Sequence, residues 1–277
     1  MTIQELIALE SHGADTFVGA GRKYPWGGLY GGHIVAQALW AAAETVDPDM
    51  EPHSLRAYFI RRGDPKETVR YEVDRIRNGK SFCTRRVVAR QENGAILNLE
   101  ASFQKSEVAP DVQAIAFPTG VPHPDSIVNS TWSEDFDRRW IDKIDFPADG
   151  REGAGRVMAW FRITEALGNP DDKRAQLLHR CAFAYLSDDL PTDAVVRTHP
   201  EISLRPENNR NFQGASLDHT IWFHRPIESD RWHLHDFTCH SLGNNRGLAL
   251  GHIFREDGVL VATVAQEALI RDLTPSM

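Results

Sequence analysis

The hydrophobic and polar positions of the chain follow one pattern twice, at a separation of about 160 residues. Each copy contains four successive runs in which apolar and polar residues alternate, as in half-buried β-strands. The runs are His53–Arg62, Thr68–Arg77, Ser81–Arg90 and Ala95–Gln104, and then Ser216–Arg225, Arg231–Cys239, Gly247–Phe254 and Val259–Ile270. Asn93-Gly94 and Asp257-Gly258 predict hairpins between the last two runs of each copy, because both central residues of such a turn adopt positive φ. The duplication predicts two similar halves with a site between them.

A helix is predicted ahead of the strands of each copy. Over Gly32–Val46 and Lys173–Leu186 the apolar residues recur at i, i+1, i+4, i+5, i+8 and i+9, which gives one broad apolar face at helical period. Asp47-Pro48 ends the first helix, and Asp171-Asp172 supplies a start signal for the second. A long apolar helix in the concave face of a curved antiparallel sheet buries both elements. The predicted fold class is therefore α+β.

The stretch from Lys105 to Gly155 is richer in Pro, Asp, Gly and Ser, which indicates a connection between the halves. We therefore divide the chain into residues 1–105, a linker at 106–155 and residues 156–277. The linker is predicted to carry one short helix, Glu134–Ile141. Strands at Arg156–Thr164 and at Phe17–Gly19 are expected to open the second and first halves.

The net charge of −8 argues against a general nucleic-acid binder, and no apolar run is long enough to span a membrane. Three widely spaced cysteines and an N-terminus without the features of a signal peptide favour the cytoplasm. The C-terminus does not match a peroxisomal address. Arginines cluster in the first copy, where they form either a solvated sheet face or a patch for an anionic ligand; they are Arg61, Arg62, Arg75, Arg77, Arg85 and Arg86.

Several motifs, in order along the chain, resemble the acyl-CoA thioesterase II family. They include Gly31–Leu39, His53-Ser54, Tyr58–Asp64, Asn78–Phe82, Ala101–Gln104, Tyr185–Asp188, Ser216–His219, Trp222–Pro226, Arg246-Gly247, Asp257–Ala262 and Gln266-Glu267. The resemblance implies a double hotdog fold and an acyl-CoA substrate. It also implies a catalytic trio of Asp188, Ser216 and Gln266 that holds a water molecule. The sequence departs from the family at His33, where Gln is common, and at Arg62, where Pro is common.

The residue types suit thioester hydrolysis without a cofactor or a metal. Asp188 follows an apolar helical run, so burial and the negative helix end would both raise its pKa and make it a general base. On composition alone, Asp188 and Asp189 could instead solvate a helix end. The resemblance favours catalysis for Asp188 and leaves Asp189 at the surface. Ser216 and Gln266 can orient a water without acting as bases.

Gly31 and Gly32, at the start of the first helix, permit close approach of a thioester carbonyl to unpaired backbone N–H groups. A tight turn required by the fold explains the two glycines equally well. His33 lies next to them and is expected near the acyl path, where it would affect chain-length preference. Gly31, Gly32 and His33 are thus the predicted substrate-binding residues.

The two copies can be compared position by position. Sequence offsets place Thr45 opposite Asp188, Ser54 opposite Ser216 and Ser102 opposite Gln266. The first copy then keeps a hydroxyl but lacks the acid and the amide, which predicts one working site per chain. If Glu44 rather than Thr45 occupies that place, a second acid survives.

Two rival functions stay open from the sequence, a non-catalytic acyl-CoA binding protein and a hotdog enoyl-CoA hydratase. The hydratase would require an Asp and a His a few residues apart near a helix start, and Tyr185–Leu190 contains no His. Exposed sheet edges and the habit of the family favour a homo-oligomer. The predicted partner is acyl-CoA, with no nucleic acid and no membrane insertion.

Overall fold

The computed structural model describes residues 1–274 except 143–144, 147–152, 154 and 208–209. Its helices are α1 (Ile3–Ile7), α2 (Gly31–Ala43), α3 (Lys173–Ser187) and α4 (Pro191–Thr198). Its strands are β1 (Glu10–Ser11), β2 (Thr16–Gly19), β3 (Met50–Phe59), β4 (Val69–Asn78), β5 (Phe82–Gln91), β6 (Gly94–Lys105), β7 (Phe136–Ile141), β8 (Arg156–Ile163), β9 (Phe212–Ser216), β10 (Asp218–Phe223), β11 (His233–Gly243), β12 (Arg246–Arg255) and β13 (Leu260–Asp272). The α+β prediction is confirmed.

The described strands form one antiparallel sheet that keeps the strands of each sequence copy together. Its order is β1-β2-β4-β5-β6-β3-β10-β13-β12-β11-β8-β7, and β9 pairs with β13. The copies meet where β3 pairs with β10, with Ala57 opposite His219 and Leu55 opposite Ile221. The first strand of each repeat therefore lies at the centre of the sheet.

The alternation along the strands decides which face is buried. In β3, Leu55 and Ala57 are buried, while Arg56 and Tyr58, which alternate with them, are exposed. The buried face packs on helices, with α2 against β3 to β6 and α4 against β11 to β13. α2 is buried on all sides from Gly32 to Ala42 because it also packs against α3. A buried helix of this kind is apolar all round, as the sequence of α2 shows.

The helices α2 and α3 run in opposite directions along their contact. The Gly32 amide at the start of α2 meets Asp188 at the end of α3, and Glu44 at the end of α2 meets Arg174 at the start of α3. The pair therefore has two ends of similar construction, one for each repeat.

Three local predictions were wrong in detail. Residues Glu134–Ile141 contain strand β7 rather than a helix, because Phe136 and Ile141 pair with β8 opposite Ile163 and Met158. The run predicted from Ser216 is two strands, β9 and β10, which pair with different parts of β13. Both predicted hairpins form, but in each Asn/Asp-Gly pair only the glycine, Gly94 or Gly258, has positive φ. A glycine in this conformation after a turn is typical of hairpins with a bulge.

Candidate active site

Asp188 lies immediately after α3 and is almost completely buried, with 7% of its surface exposed. Its Oδ2 accepts a hydrogen bond from the Gly32 amide at 2.9 Å. That amide is one of the donors that the first turn of a helix leaves without an intrahelical partner. The positive end of α2 thus faces the carboxylate, while the negative end of α3 carries it.

Gly31 and Gly32 make this contact possible. A side chain at Gly31 would collide with Asp188 Oδ2 and the ring of Phe59, and one at Gly32 would collide with the Tyr185 carbonyl. The two glycines were expected to let a thioester carbonyl come close. In the structure it is the end of α3 that lies against them. The Gly32 amide donates its hydrogen bond to the Asp188 carboxylate rather than to a substrate.

Ser216 and Gln266 lie beside the same carboxylate. Ser216 ends β9, next to β13, and its hydroxyl donates to Asp188 Oδ1 at 3.3 Å. Gln266 occupies a buried position of β13 between Val264 and Ala268, and its Nε2 donates to Ser216 Oγ at 2.8 Å. The three side chains thus form a chain of direct hydrogen bonds, although they come from three separate segments of the second half.

His219 extends this chain and was not predicted as a site residue. Its Nδ1 donates to Gln266 Oε1 at 2.5 Å, and its Nε2 lies 2.9 Å from Ser187 Oγ. With Nδ1 protonated, Nε2 is an acceptor for the Ser187 hydroxyl. Every proton then points toward Asp188, and the amide of Gln266 has one orientation. The signal in the sequence was a histidine on the buried face of β10, in line with Ile221 and Phe223.

Burial shifts the pKa values of Asp188 and His219 in opposite directions, because it favours the neutral form of each group. Burial raises the pKa of Asp188 to about 7, an effect that the hydrogen bonds from Gly32, Gln266 and Ser216 reduce and the nearby charge of Asp189 reinforces. Burial lowers the pKa of His219 to about 4. At neutral pH the site therefore combines a carboxyl group that can accept a proton with a neutral imidazole.

Asp189 was predicted at the surface, and this is wrong. Its side chain is 7% exposed and accepts hydrogen bonds from Trp132 Nε1 at 2.5 Å and Arg138 Nη1 at 2.8 Å. Trp132 in turn packs edge-on against the rings of Trp26 and Tyr30. Asp189, the residue after Asp188, thus anchors an aromatic cluster made of Tyr24, Trp26, Tyr30 and Trp132.

His33 is fully buried and packs edge-on against Tyr24, with ring centroids 6.0 Å apart. Burial lowers its pKa to about 3, so the ring is neutral. It borders the aromatic cluster and makes no hydrogen bond with the trio. Arg62 is exposed, and its Nη2 donates to the Trp26 carbonyl at 2.5 Å.

The strand registers match the residues of the first copy to the trio differently from the sequence offsets. The β5–β6 and β12–β13 hairpins have equivalent bulges, and their registers place Arg85 opposite Ala101 and Ala249 opposite Gln266. Ala101 is therefore the counterpart of Gln266. Ser102, one residue on, faces the other side of the sheet, where it contacts His53. By the same register Ser54 corresponds to Asp218 rather than to Ser216.

At the end of α2, Thr45 is buried while Glu44 points outward to Arg174. The helix ends match Glu44 rather than Thr45 with Asp188, because Glu44 is the C-cap residue of α2 as Asp188 is that of α3. The acid at this place in the first copy is thus turned outward, and Thr45 is the buried residue beside it. Its hydroxyl accepts a hydrogen bond from Arg85 Nε at 2.7 Å. Arg85 is only 1% exposed, so for this residue the expectation of a solvated sheet face is wrong, whereas the other five arginines of the group are exposed.

Comparison with known proteins places this chain in a family. Residues 22–104 match the family described as acyl-CoA thioesterase N-terminal domain, and residues 109–270 match that described as acyl-CoA thioesterase C-terminal domain. The two matches cover most of the chain, which belongs to the acyl-CoA thioesterase family. Members of this family are thioester hydrolases, which confirms the predicted family and enzyme class.

Individual relatives agree with this assignment. The chain is 35% identical over 270 residues to acyl-coenzyme A thioesterase 8 of Mus musculus, with 88% of this chain and 80% of the mouse protein covered. It resembles the crystal structure of acyl-CoA thioesterase II TesB2 from Mycobacterium marinum at 34% identity and a TM-score of 0.85, with both chains covered completely. A protein from Alicyclobacillus acidocaldarius described as having a hot dog fold superposes with a TM-score of 0.75 at 18% identity, covering 99% of this chain and 98% of that one. The fold is therefore of the hotdog type.

Two kinds of feature are absent from the described residues. Among them there is no helix of sufficient length and apolar character to cross a bilayer. Nor do three or more His, Cys, Asp or Glu side chains gather there as ligands for a metal ion.

Proposed function

We propose that this protein hydrolyses fatty acyl-CoA to free fatty acid and CoA with a water molecule activated by Asp188, Ser216 and Gln266. The observation that carries the proposal is the hydrogen-bonded chain of these three groups, at 3.3 and 2.8 Å, around a buried carboxyl group whose pKa lies at about 7. A general base works best when its pKa lies near the operating pH.

In this mechanism the water lies against Asp188, Ser216 and Gln266. Asp188 takes a proton from the water as its oxygen attacks the thioester carbonyl carbon, which gives a tetrahedral intermediate. The carbon–sulfur bond then breaks, and the proton held by Asp188 passes to the leaving thiolate. The products are the free acid and the thiol of CoA, and no covalent acyl-enzyme forms.

The negative charge that develops on the carbonyl oxygen requires donors in place before the reaction. We assign this role to the first turn of α2 at Gly31, next to Asp188. The Gly32 amide is already bound to Asp188 Oδ2, which supports a division of labour between the two glycines. Gly32 orients the base, and Gly31 receives the substrate carbonyl.

We place the acyl chain beside α2, along the buried Tyr24 and Tyr30 of the aromatic cluster and away from the exposed Trp26. Tyr30 of this cluster packs on Tyr185 with ring centroids 5.1 Å apart, and Tyr185 belongs to the last turn of α3 before Asp188. His33 borders the same cluster through Tyr24. A His33→Gln variant is expected to change the preferred acyl length at unchanged turnover of the best substrate. A length profile that stays the same would remove His33 from the acyl path.

The experiment for the proposed function measures free thiol release and product identity from a panel of acyl-CoA lengths, with Asp188→Asn as the inactive control. Thiol release by the wild type that is lost in the variant, with acyl-CoA binding retained, supports the hydrolase. Tight binding without turnover in the wild type would point to a binding protein. Consumption of enoyl-CoA without thiol release would point to a hydratase.

We also propose a double hotdog organisation with boundaries at 1–105, 106–155 and 156–277. The sheet order supports it, because the strands of each repeat lie together and pack on one helix, α2 in the first and α4 in the second, and the repeats join at β3 and β10. A homo-oligomer in the cytoplasm completes the proposal. Tyr58 and Trp222, 49% and 43% exposed on the outer face of the two central strands, support self-association. Sedimentation of the purified protein tests the oligomer, and a monomer at micromolar concentration would contradict it.

A further inference from the structure

A surface cleft of roughly 440 Å³ opens next to the loop that leads into α2. Its lining includes Lys23, Arg62 and Lys66, together with Gly27 and Asp64. Three of the seven lining residues carry a positive charge and one carries a negative charge. In a chain with a net charge of −8, this is a local reversal of sign. Such a cleft concentrates anionic ligands.

The positive charges of the cleft are available to a ligand. Within the residues that the structure describes, Lys23, Arg62 and Lys66 take part in none of the ion pairs. Asp64 uses its Oδ1 to accept a hydrogen bond from the Lys66 amide at 2.8 Å, which closes the loop. An arginine that binds only a backbone carbonyl keeps donors free for an anion, and a guanidinium can bind a phosphate with two parallel hydrogen bonds.

Trp26 lies next to the lining of the cleft, immediately before Gly27. It is 45% exposed; its indole stacks on Tyr24 with ring centroids 5.4 Å apart and planes 8° from parallel, and Tyr30 and Trp132 contact it edge-on. Its carbonyl accepts the hydrogen bond from Arg62 Nη2. An exposed aromatic ring beside several cations is the combination that binds a nucleotide, because the ring stacks on the base and the cations bind the phosphates.

We propose that this cleft binds the phosphorylated nucleotide end of CoA, with Lys23, Arg62 and Lys66 on the phosphates and Trp26 against the adenine. The identity of the ligand rests on the proposed function, since acyl-CoA is the substrate assigned there. Arg62 is the specific element of this chain, because it stands where the family commonly has Pro. The three cations give a charge-dependent contribution to substrate binding that a neutral residue at position 62 would weaken.

The distances along the chain are compatible with one substrate reaching both sites. The Leu29 amide donates to the Gly63 carbonyl at 3.1 Å, which fixes the loop of the cleft to the residues just before α2. Gly27 of the cleft precedes Gly31 of the reaction site by four residues, a span of at most ~14 Å of extended chain. The pantetheine arm of CoA, a long unbranched chain, would cover this span and present the thioester to Asp188.

The test compares Arg62→Gln with the matched control Arg61→Gln. Arg61 is the adjacent residue, is also exposed and bonds the Ala95 carbonyl, so its loss removes the same charge from outside the cleft. For acyl-CoA we expect R62Q to raise KM about tenfold at unchanged kcat, with a smaller difference at high salt. For acyl-pantetheine, which lacks the nucleotide, we expect R62Q, R61Q and the wild type to have the same KM. An equal effect of R62Q on both substrates, or none on either, would overturn the proposal.

A binding measurement separates this inference from the proposed function. Titration calorimetry with adenosine 3′,5′-bisphosphate needs no hydrolysis, and we expect both R62Q and Trp26→Ala to weaken binding while R61Q does not. If the wild type releases no thiol but binds this nucleotide through Arg62, the cleft is supported and the hydrolase is not. If the wild type hydrolyses acyl-CoA and R62Q binds the nucleotide as the wild type does, the hydrolase stands and the cleft is wrong.

Discussion

The two ends of the α2–α3 helix pair are built alike but contain opposite chemistry. At one end the buried Asp188 accepts a hydrogen bond from the first turn of the neighbouring helix, and Ser216 and Gln266 lie beside it. At the other end the buried residue is Thr45, and the acid next to it, Glu44, turns outward to form an ion pair with Arg174. The same architecture therefore presents a carboxylate at one end and a neutral hydroxyl at the other.

The strands below the two ends carry different side chains at equivalent positions. Ala249, opposite Gln266, leaves room for the amide. Its counterpart Arg85, opposite Ala101, instead fills the end of α2 with a guanidinium that binds Thr45 Oγ1, Thr45 O and three further oxygens. The register also places Leu55 where the second copy has His219. The end of the helix pair at Thr45 is thus filled by structural hydrogen bonds of Arg85, which supports one working site per chain.

The largest effect should come from the acids at the two ends. Asp188→Asn removes the proposed base, and we expect kcat to fall by roughly 10³-fold or more, within the range of general acid–base catalysis. Thr45→Val and Glu44→Gln at the other end should leave kcat within about twofold of the wild type, since neither group would act on the substrate. Steady-state thiol release from acyl-CoA measures all three, and a comparable loss in Glu44→Gln would show that both ends work.

The fold of the Asp188→Asn variant can be checked through its stability. The raised pKa means that the native state holds the Asp188 proton more tightly than the unfolded state does. The favourable contribution is present below the ordinary value of 3.8 and is lost as pH rises toward about 7. At pH 8 the neutral variant should therefore unfold at a higher temperature than the wild type, and a lower unfolding temperature would indicate a damaged fold.

The residues proposed to hold the water should give the next largest effect. Ser216→Ala and Gln266→Ala leave the base in place but remove a group that orients the water, and we expect each to lower kcat by about 10²-fold. Ala101→Ser, at the first-copy counterpart of Gln266, is the control and should change little. Thiol release provides the readout, and unchanged kcat in both alanine variants would limit the site to Asp188 alone.

His219 should have an intermediate effect because it acts through Gln266. Replacing it with Leu, the residue at the equivalent position of the first copy, removes the donor that fixes the amide of Gln266. We expect kcat to fall about tenfold, with KM little changed, since the loss of one hydrogen bond to a positioned group is of this order. A combined His219→Leu/Gln266→Ala variant should be no slower than Gln266→Ala, and additive losses would assign His219 a separate role.

The pH dependence should be smaller but diagnostic. The base must be ionised, so the rate should rise with pH and level off above about 7, with activity at pH 6 about tenfold below the plateau. Asp193 provides the control, because burial and the charge of Asp189 also raise its pKa to about 7. Asp193→Asn should keep the pH–rate profile, and a profile that shifts with this variant would assign the ionisation to Asp193.

The smallest effect on catalysis is expected at Arg85. Its replacement by Met removes the donors that Arg85 supplies to the buried oxygens of Thr45 and to the half-buried carbonyls of Arg77 and Thr84, and we expect about 3 kcal/mol of lost stability. The value of kcat below the unfolding temperature should stay close to that of the wild type. Denaturant unfolding and thiol release together test this. Lost activity in a folded variant would show that Arg85, at one end of the helix pair, affects the reaction at the other end.

The sequence predicted the elements that a periodic pattern defines. The strands around Asn93-Gly94 and the helix from Lys173 were placed within a few residues, because alternation and helical spacing report which face is buried. The segment around Phe136 was mistaken for a helix, since its burial depends on pairing with β8, a contact between residues distant along the chain. For the same reason the break between β9 and β10 could not be read locally.

The site was predictable only in part. Asp188, Ser216 and Gln266 came from a resemblance, and the structure shows that they are in direct contact. The roles of His219 and of the Gly32 amide depend on how the second half folds over α2, which no local pattern encodes. The correspondence of Ser102 with Gln266 failed because a shift of one residue along a strand moves a side chain to the opposite face.

The most direct test of the account follows the oxygen of the attacking water. With enzyme in excess over acyl-CoA and water labelled with oxygen-18, one turnover should place one labelled oxygen in the fatty acid and leave Asp188 unlabelled, because the water itself attacks the thioester. An unlabelled fatty acid, with the label in the carboxyl group of Asp188, would show that Asp188 attacks as a nucleophile and would contradict the activated-water mechanism.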